Sequence, residues 1–254
     1  MSLLEAMILG IIQGLTEFLP ISSSGHLVLA QSLLNIDQPG NEFEILVHIG
    51  TLFSVLIVFR NDIINLLTSL QSKKSQKFII LIIIGTIPAI FIGLGLKDIL
   101  ESFFDDLAIV SIALIFTGLI LCSTFLINNK KNNEHTILTS IFIGCAQAIA
   151  IIPGISRSGM TISVALLLGI SPKEATKFSF LLAIPAIGGA GILTAFNMDI
   201  NNSEIYQLSG FVGMLTSFLI GFIALKWLLI WIEKGKLYYF GLYCIIIGFM
   251  TLIL

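Results

Sequence analysis

The chain has 254 residues, of which 56% are hydrophobic and 11% charged, with a net charge of −2. A soluble domain carries about 25% charged residues, so this composition, with a mean hydropathy of +1.04, describes an integral membrane protein and excludes a soluble enzyme core. A crossing helix takes about 20 apolar residues, so the length allows several crossings and leaves no room for a separate soluble domain.

Met1 to Glu5 carries no basic residue ahead of the first apolar run, and the N-terminus therefore reads as part of the fold rather than a cleaved signal. From Met1 to Leu19 the sequence is apolar but interrupted by Glu5, Gln13 and Glu17, then stopped by Pro20. The next apolar piece, Leu27 to Leu34, is too short to cross. Two half-length helices around a polar turn predict a re-entrant hairpin over 1–35, whose turn must be buried in protein or line a wet cavity. Three crossings are predicted next, at Phe43–Phe59, Phe78–Leu96 and Leu107–Ile127, the second kinked at Pro88. The hairpin pattern then returns over 136–170. Thr136 to Ile152 is apolar with Gln147 inside it, Pro153 to Gly159 is a polar turn, and Met160 to Ile170 is again short. Crossings at Ala175–Phe196, Gly210–Trp231 and Leu237–Leu254 complete the chain. Cys122, Cys145 and Cys244 stand alone in apolar segments, match no metal or redox spacing, and read as packing side chains.

The two hairpins are related. Gly10, Gln13, Ile21, Ser22, Ser24 and Gly25 recur as Gly144, Gln147, Ile155, Ser156, Ser158 and Gly159, each 134 positions later. The predicted fold is therefore a single all-α membrane domain, 1–254, built as an inverted-topology repeat. Its halves are 1–128 and 129–254, each with one re-entrant hairpin and three transmembrane helices, giving six crossings and two hairpins. An odd number of crossings per half turns the second half upside down, and the site is expected near the midplane where the two broken elements face each other. Charge placement agrees. Arg60, Lys73, Lys74, Lys77, Lys130, Lys131, Lys173, Lys177, Lys226, Lys234 and Lys236 fall on one side. The other side holds Asp37, Glu42, Glu44, Asp98, Glu101, Asp105, Asp106, Asp199 and Glu204, with Lys97 its one basic residue. Basic loops stay cytoplasmic, so the first hairpin enters from outside and the second from the cytoplasm.

Arg157 is the most informative residue. A guanidinium at membrane depth is costly unless paired or hydrated, and this one sits between Ser156 and Ser158 at the start of a short helix, where free N–H groups favour phosphate. Its planar fork binds two phosphate oxygens at once; a salt bridge to Glu17 is the plainer role, and the two are compatible. Glu17 lies one turn from Gln13, so both face the same way. Together they suit a hard divalent cation that also binds phosphate; Glu17 alone suits a general base, or a partner for Arg157. Ser22, Ser23, Ser24, Gly25 and His26 exceed what a helix cap needs, and a hydroxyl beside an imidazole is what an activated nucleophile or a proton donor requires. His48, inside an apolar span, reads as core packing, and His135, in a basic loop, as solvated. Thr161, about one turn beyond Ser158, either reaches the same anion or back-bonds to its own helix. No GxxxxGK[ST] loop or HExxH pattern occurs, and the basic loops are too sparse for nucleic acid.

At PGISRSGMT, Pro153 to Thr161, together with GLTEFLPISSSGH, Gly14 to His26, the chain resembles the undecaprenyl-pyrophosphate phosphatase family, also called the bacitracin-resistance protein family, and the resemblance runs its full length. It implies a multi-pass enzyme of the bacterial plasma membrane, with its site reached from the outer face. Such an enzyme removes the terminal phosphate of a polyprenyl pyrophosphate and recycles the carrier for cell-wall synthesis. Carried onto this chain, the resemblance implies catalytic roles for Glu17, Ser23, His26 and Arg157. Phosphate contacts fall to Ser22, Ser24, Ser156, Ser158, Gly159 and Thr161, and a Mg2+ or Ca2+ ion to Glu17 and Gln13. Ser23 and His26 are alternative nucleophiles. The membrane acid-phosphatase class needs a second His and Asp after its Ser-Arg, which this chain lacks. A polyprenyl-phosphate flippase or transporter is the competing function, since inverted repeats are also transporter architecture. Gly188, Gly189 and Gly191 would let helices approach closely, within the chain or in a homodimer.

Overall fold

The computed structural model describes residues 1–36, 42–126, 133–197 and 208–253. Of the charges used above, Asp37, Lys130, Lys131, Asp199 and Glu204 lie outside the described residues, as do Ile127 and Leu254 at the ends of two predicted crossings. The described chain is helical throughout: α1 (Leu3–Phe18), α2 (Ser23–Leu34), α3 (Glu42–Val58), α4 (Arg60–Thr68), α5 (Lys73–Gly95), α6 (Lys97–Ser102), α7 (Leu107–Ser123), α8 (Ile137–Ile149), α9 (Arg157–Leu167), α10 (Pro172–Asn197), α11 (Leu208–Ile232) and α12 (Tyr238–Leu252).

Four helical segments are long and apolar enough to cross a membrane: α5, α7 with its 3-10 extension to Leu126, α10 and α11. The bent pair α3 and α4, meeting at 68°, makes a fifth if counted as one span. Of the six predicted crossings, the first and last correspond to helices of only 17 and 15 residues, α3 and α12. Helix α4 turns away after Phe59 because its sequence, RNDIINLLT, is polar enough to prefer an interface. The outward faces are apolar. On α5, Ile80, Ile83, Ile87, Phe91 and Leu94 form an exposed stripe at helical spacing, as expected of a surface solvated by lipid.

Helix α7 lies along α12, α11 packs between α1 and α3, and α8 packs on α5. Small residues bring these backbones together. A Cβ on Gly118 would lie 2.6 Å from the Gly241 carbonyl oxygen, and one on Gly241 would lie 2.7 Å from that of Gly118. Gly144 is pressed as closely on Gly85, where a Cβ would stand 3.0 Å from the neighbouring Cα. By contrast a Cβ on Gly188 would meet nothing closer than Leu52 Cδ2 at 3.9 Å, and one on Gly189 nothing within 4 Å, so neither marks a close helix crossing among the described residues.

Within each short-helix pair the two helices pack on each other, and α8 and α9 begin 134 residues after α1 and α2. Each hairpin begins with a reciprocal cap: Ser2 with Glu5 on α1, and Thr136 with Thr139 on α8. His135, expected in solvent, is instead 8% exposed and stacked on Phe178 with ring centroids 4.3 Å apart. Its flat ring fills the space between α5 and α10, edge-on to Phe78. Cys145 is also unlike its expected packing role: it faces outward, whereas Cys244 is buried and Cys122 half-buried.

Candidate active site

The two polar turns pack against each other deep in the protein. In the first, Pro20 follows the end of α1, and Ser22 takes up a positive φ of 70°. Its hydroxyl accepts the backbone N–H of Gly25 at 3.3 Å, which caps α2 and makes Ser23 the first helical residue. The second turn repeats this. Ser156 accepts the N–H of Gly159 at 3.1 Å, and Arg157 is the first residue of α9. Gly154 takes a φ of 91° with its Cα against Val110 and Ala113 of α7, a conformation and a space that only glycine fits. Thr117 of α7 secures the turn, donating to the Gly154 carbonyl and accepting the Ser156 N–H, each at 3.1 Å. The turns touch through equivalent pairs: Gly25 lies against Gly154, and Gly159 against Pro20. Ser24 Oγ accepts the Gly154 N–H at 3.4 Å.

At this junction the first residues of the two short helices converge on one carboxylate. Arg157 Nη2 donates to Glu17 Oε1 in an ion pair. Ser23 donates to Glu17 Oε2 at 2.5 Å, and Gln13 Nε2 donates to the same oxygen at 3.1 Å. The Arg157 and Glu17 side chains are only 15% and 5% exposed, so each charge is tolerated because the other is there. Two helix N-termini also point their partial positive charge toward the group. The result is a serine hydroxyl bonded to a carboxylate, beside a guanidinium with a spare donor: Arg157 Nη1 is buried without a partner among the described residues. Chemically this arrangement can bind an anion and move a proton from Ser23 to Glu17.

His26 stands in the same turn but is bonded elsewhere. Its Nδ1 lies 2.7 Å from the Ser22 carbonyl, four residues back, and its Nε2 lies 2.9 Å from the Tyr243 hydroxyl. Neither ring nitrogen bonds Ser23, Glu17 or Arg157. The imidazole at the carboxylate is that of His48, whose Nε2 is 3.5 Å from Glu17 Oε2. His48 is therefore not a packing side chain. A signal for it existed in the sequence: a His one turn from Glu44, inside an otherwise apolar span, has to face the protein interior.

Of the remaining polar side chains of the turns, Ser22, Ser156 and Ser158 are buried and Ser24 is half-buried. Ser22 pairs with Ser24, and Ser156 with Ser158, both at 3.3 Å. Thr161 donates back to the Arg157 carbonyl at 2.8 Å and meets Ser179 at 2.5 Å. Its hydroxyl thus holds α9 to α10. Gln13 Oε1 is buried without a partner among the described residues, which leaves one free oxygen beside the Glu17 carboxylate for a cation. No group of three His, Cys, Asp or Glu side chains that could hold a metal clusters among the described residues, so a hard cation bound here would take most of its oxygens from phosphate and water.

A family model described as bacitracin resistance protein BacA matches residues 6–250. The chain is 44% identical to the undecaprenyl-diphosphatase of Carboxydothermus hydrogenoformans, covering 100% of this chain and 98% of the relative. It is 42% identical to that of Korarchaeum cryptofilum, covering 99% of both. It is also 42% identical to undecaprenyl-diphosphatase 2 of Bacillus thuringiensis, over 99% of this chain and 97% of the relative.

Proposed function

The chain belongs to the bacitracin resistance protein family, and on that premise we propose that it is a membrane phosphatase converting undecaprenyl pyrophosphate to undecaprenyl phosphate and inorganic phosphate. The activity supplies lipid carrier for cell-wall synthesis. One observation carries the reading: Ser23 and Arg157, each the first residue of a short helix, meet at the Glu17 carboxylate. A pyrophosphate headgroup brings oxygens for the unpartnered Arg157 Nη1 and for the two helix N-termini, and its prenyl tail explains why the site lies among apolar helices.

In the mechanism Arg157 turns from Glu17 to the terminal phosphate and binds two of its oxygens. Ser23 Oγ attacks the terminal phosphorus while its proton passes to Glu17. The P–O bond to the leaving undecaprenyl phosphate breaks in line with the attack, leaving phosphate on Ser23. Water then displaces the phosphate and restores the hydroxyl. Ser24, Ser156, Ser158 and the N-termini of α2 and α9 stabilise charge on the equatorial oxygens. Gln13 Oε1 and Glu17 would hold a Mg2+ or Ca2+ ion, which when bound neutralises phosphate charge. His26, tied to Tyr243, orients the turn that carries Ser23.

The finer architecture belongs to the same proposal. The two halves are inverted repeats, 1–128 and 129–254; equivalent capping serines, equivalent turn contacts and the paired α1–α11 and α5–α8 packing support this. The basic loops then face the cytoplasm of a bacterial cell, and the substrate reaches the site from the outer leaflet. A homodimer formed through the Gly188–Gly189 face of α10 is part of the same reading.

Phosphate release from a polyprenyl pyrophosphate by protein purified in detergent, where no transport occurs, tests the function. Turnover that disappears in Ser23→Ala supports it. Absence of turnover in the wild-type protein, with or without added Mg2+ or Ca2+, would favour a flippase instead. Activity untouched by chelator removes the cation from the proposal.

A further inference from the structure

The two polar turns differ at their capping serines. Ser22 and Ser156 have similar ψ angles, 99° and 115°, but φ is 70° at Ser22 and −76° at Ser156. A positive φ is costly for a residue other than glycine and persists only where the surroundings impose it. The residue four positions on differs to match. At the second turn it is Met160, which offers the Ser156 carbonyl only its backbone N–H, at 2.9 Å. At the first turn it is His26, whose backbone N–H and Nδ1 both reach the Ser22 carbonyl, at 3.2 and 2.7 Å. The imidazole stands where the backbone is strained, and it holds the carbonyl of the strained residue.

A carbonyl can only accept, so Nδ1 carries the hydrogen, and Nε2 of the neutral ring accepts from the Tyr243 hydroxyl at 2.9 Å. Neither bond needs a charge on the imidazole. The two rings also stack, 10° from parallel with centroids 5.7 Å apart. Tyr243 is fixed in turn by the packing of α12. The next residue, Cys244, is buried and donates to the carbonyl of Pro20, at the start of the same turn, at 3.7 Å. Two residues before Tyr243, Gly241 is pressed on Gly118 of α7. Gly118 adjoins Thr117, which secures the second turn. Helices α7 and α12 therefore hold both turns in one frame.

We propose that Tyr243 is a positioning residue. Its hydroxyl fixes the His26 ring, the ring holds the Ser22 carbonyl, and the backbone so held presents Ser23 Oγ to the terminal phosphate. This rests on the role of Ser23 given above.

The test measures kcat and KM for a polyprenyl pyrophosphate in detergent, beside the melting midpoint, for the wild-type enzyme, Y243F, H26N, H26Q, H26N/Y243F and S23A. Y243F keeps the stacked ring and loses the hydroxyl. Its kcat falls about 10-fold through misplacement of Ser23, while KM stays within about threefold and the midpoint is unchanged, since headgroup binding belongs to Arg157. Asparagine places its amide N–H where Nδ1 stood, and glutamine places its own where Nε2 stood. H26N therefore keeps the bond to the Ser22 carbonyl and is more active than H26Q. In H26N the phenol hydroxyl has lost its target, so H26N/Y243F matches H26N within about twofold. Wild-type kcat in Y243F overturns the proposal. So does a Y243F effect in the H26N background as large as in the wild type, because the hydroxyl then acts by another route. H26N that is folded but as inactive as S23A also overturns it, since the imidazole itself then takes part in the chemistry. If Y243F does not fold, the order of the two His26 variants decides, and H26Q equal to or better than H26N refutes the idea. Full activity in S23A is a separate failure: it removes the nucleophile, and with it the premise.

Discussion

Arg157 shows how far one residue's physical chemistry reaches. A cation within apolar sequence demands a partner, and the structure supplies Glu17 at rest while leaving Nη1 free. Lysine would preserve the charge and the ion pair but not the two-pronged contact with phosphate. Arg157→Lys is therefore expected to fold normally and to lose about 100-fold in kcat/KM, the scale of a removed transition-state donor. Phosphate release measured beside the melting midpoint checks both halves of this statement, and undiminished activity would contradict the assignment. The partner Glu17 was legible because it shares a helix face with Gln13 and because few acids lie near the turns. His48 was not legible as its neighbour. They sit on different helices, and the rotation of α3 that brings the ring to the carboxylate is set by its packing on α11. The partner of His26 was not legible for a related reason: its Nε2 meets the hydroxyl of Tyr243, 217 positions away.

The hairpins are the elements on which the site depends, and their positions could be read from apolar runs too short to cross. What holds the second hairpin at its base could not. His135, in the connection ahead of α8, is slotted between Phe78 of α5 and Phe178 of α10. Burial pushes its imidazole below the ordinary value of 6.5, opposed by the Glu174 carbonyl and carboxylate and reinforced by Lys77. The folded protein therefore refuses a proton that the unfolded chain accepts. Above pH 6.5 both states leave the ring neutral and no protonation penalty applies. As the pH falls from that value toward the lower one of the folded state, stability is lost. The melting midpoint in detergent should drop on acidification from about pH 7 to pH 5, and His135→Phe, which keeps an aromatic ring against Phe178, should flatten that drop. An unchanged slope in the variant would place the acid sensitivity elsewhere, with the exposed Lys77–Glu134 pair the nearest alternative.

For the whole molecule, the arrangement of charges makes a prediction about sidedness. In a background without Cys122, Cys145 and Cys244, Ser102→Cys should react with a membrane-impermeant maleimide on intact cells, whereas Lys173→Cys should react only after the membrane is opened. The reverse pattern would invert the orientation and move the site's access to the cytoplasmic leaflet. The structure adds ties across the basic side that charge counting does not contain, such as the Lys177–Asp62 ion pair between α10 and α4.

Membrane class, the places where helices break, and the need to bury a guanidinium all follow from the amino-acid order. Each is a local demand, made by the cost of apolar surface in water and of unpaired backbone or charge in lipid, and each is felt residue by residue along the chain. Which groups satisfy those demands was decided only by the fold. The meeting of Ser23, Arg157 and His48 at Glu17 depends on how helices distant in sequence are rotated and how closely they cross, and that geometry is set by contacts such as Gly144 on Gly85, remote from the residues it brings together.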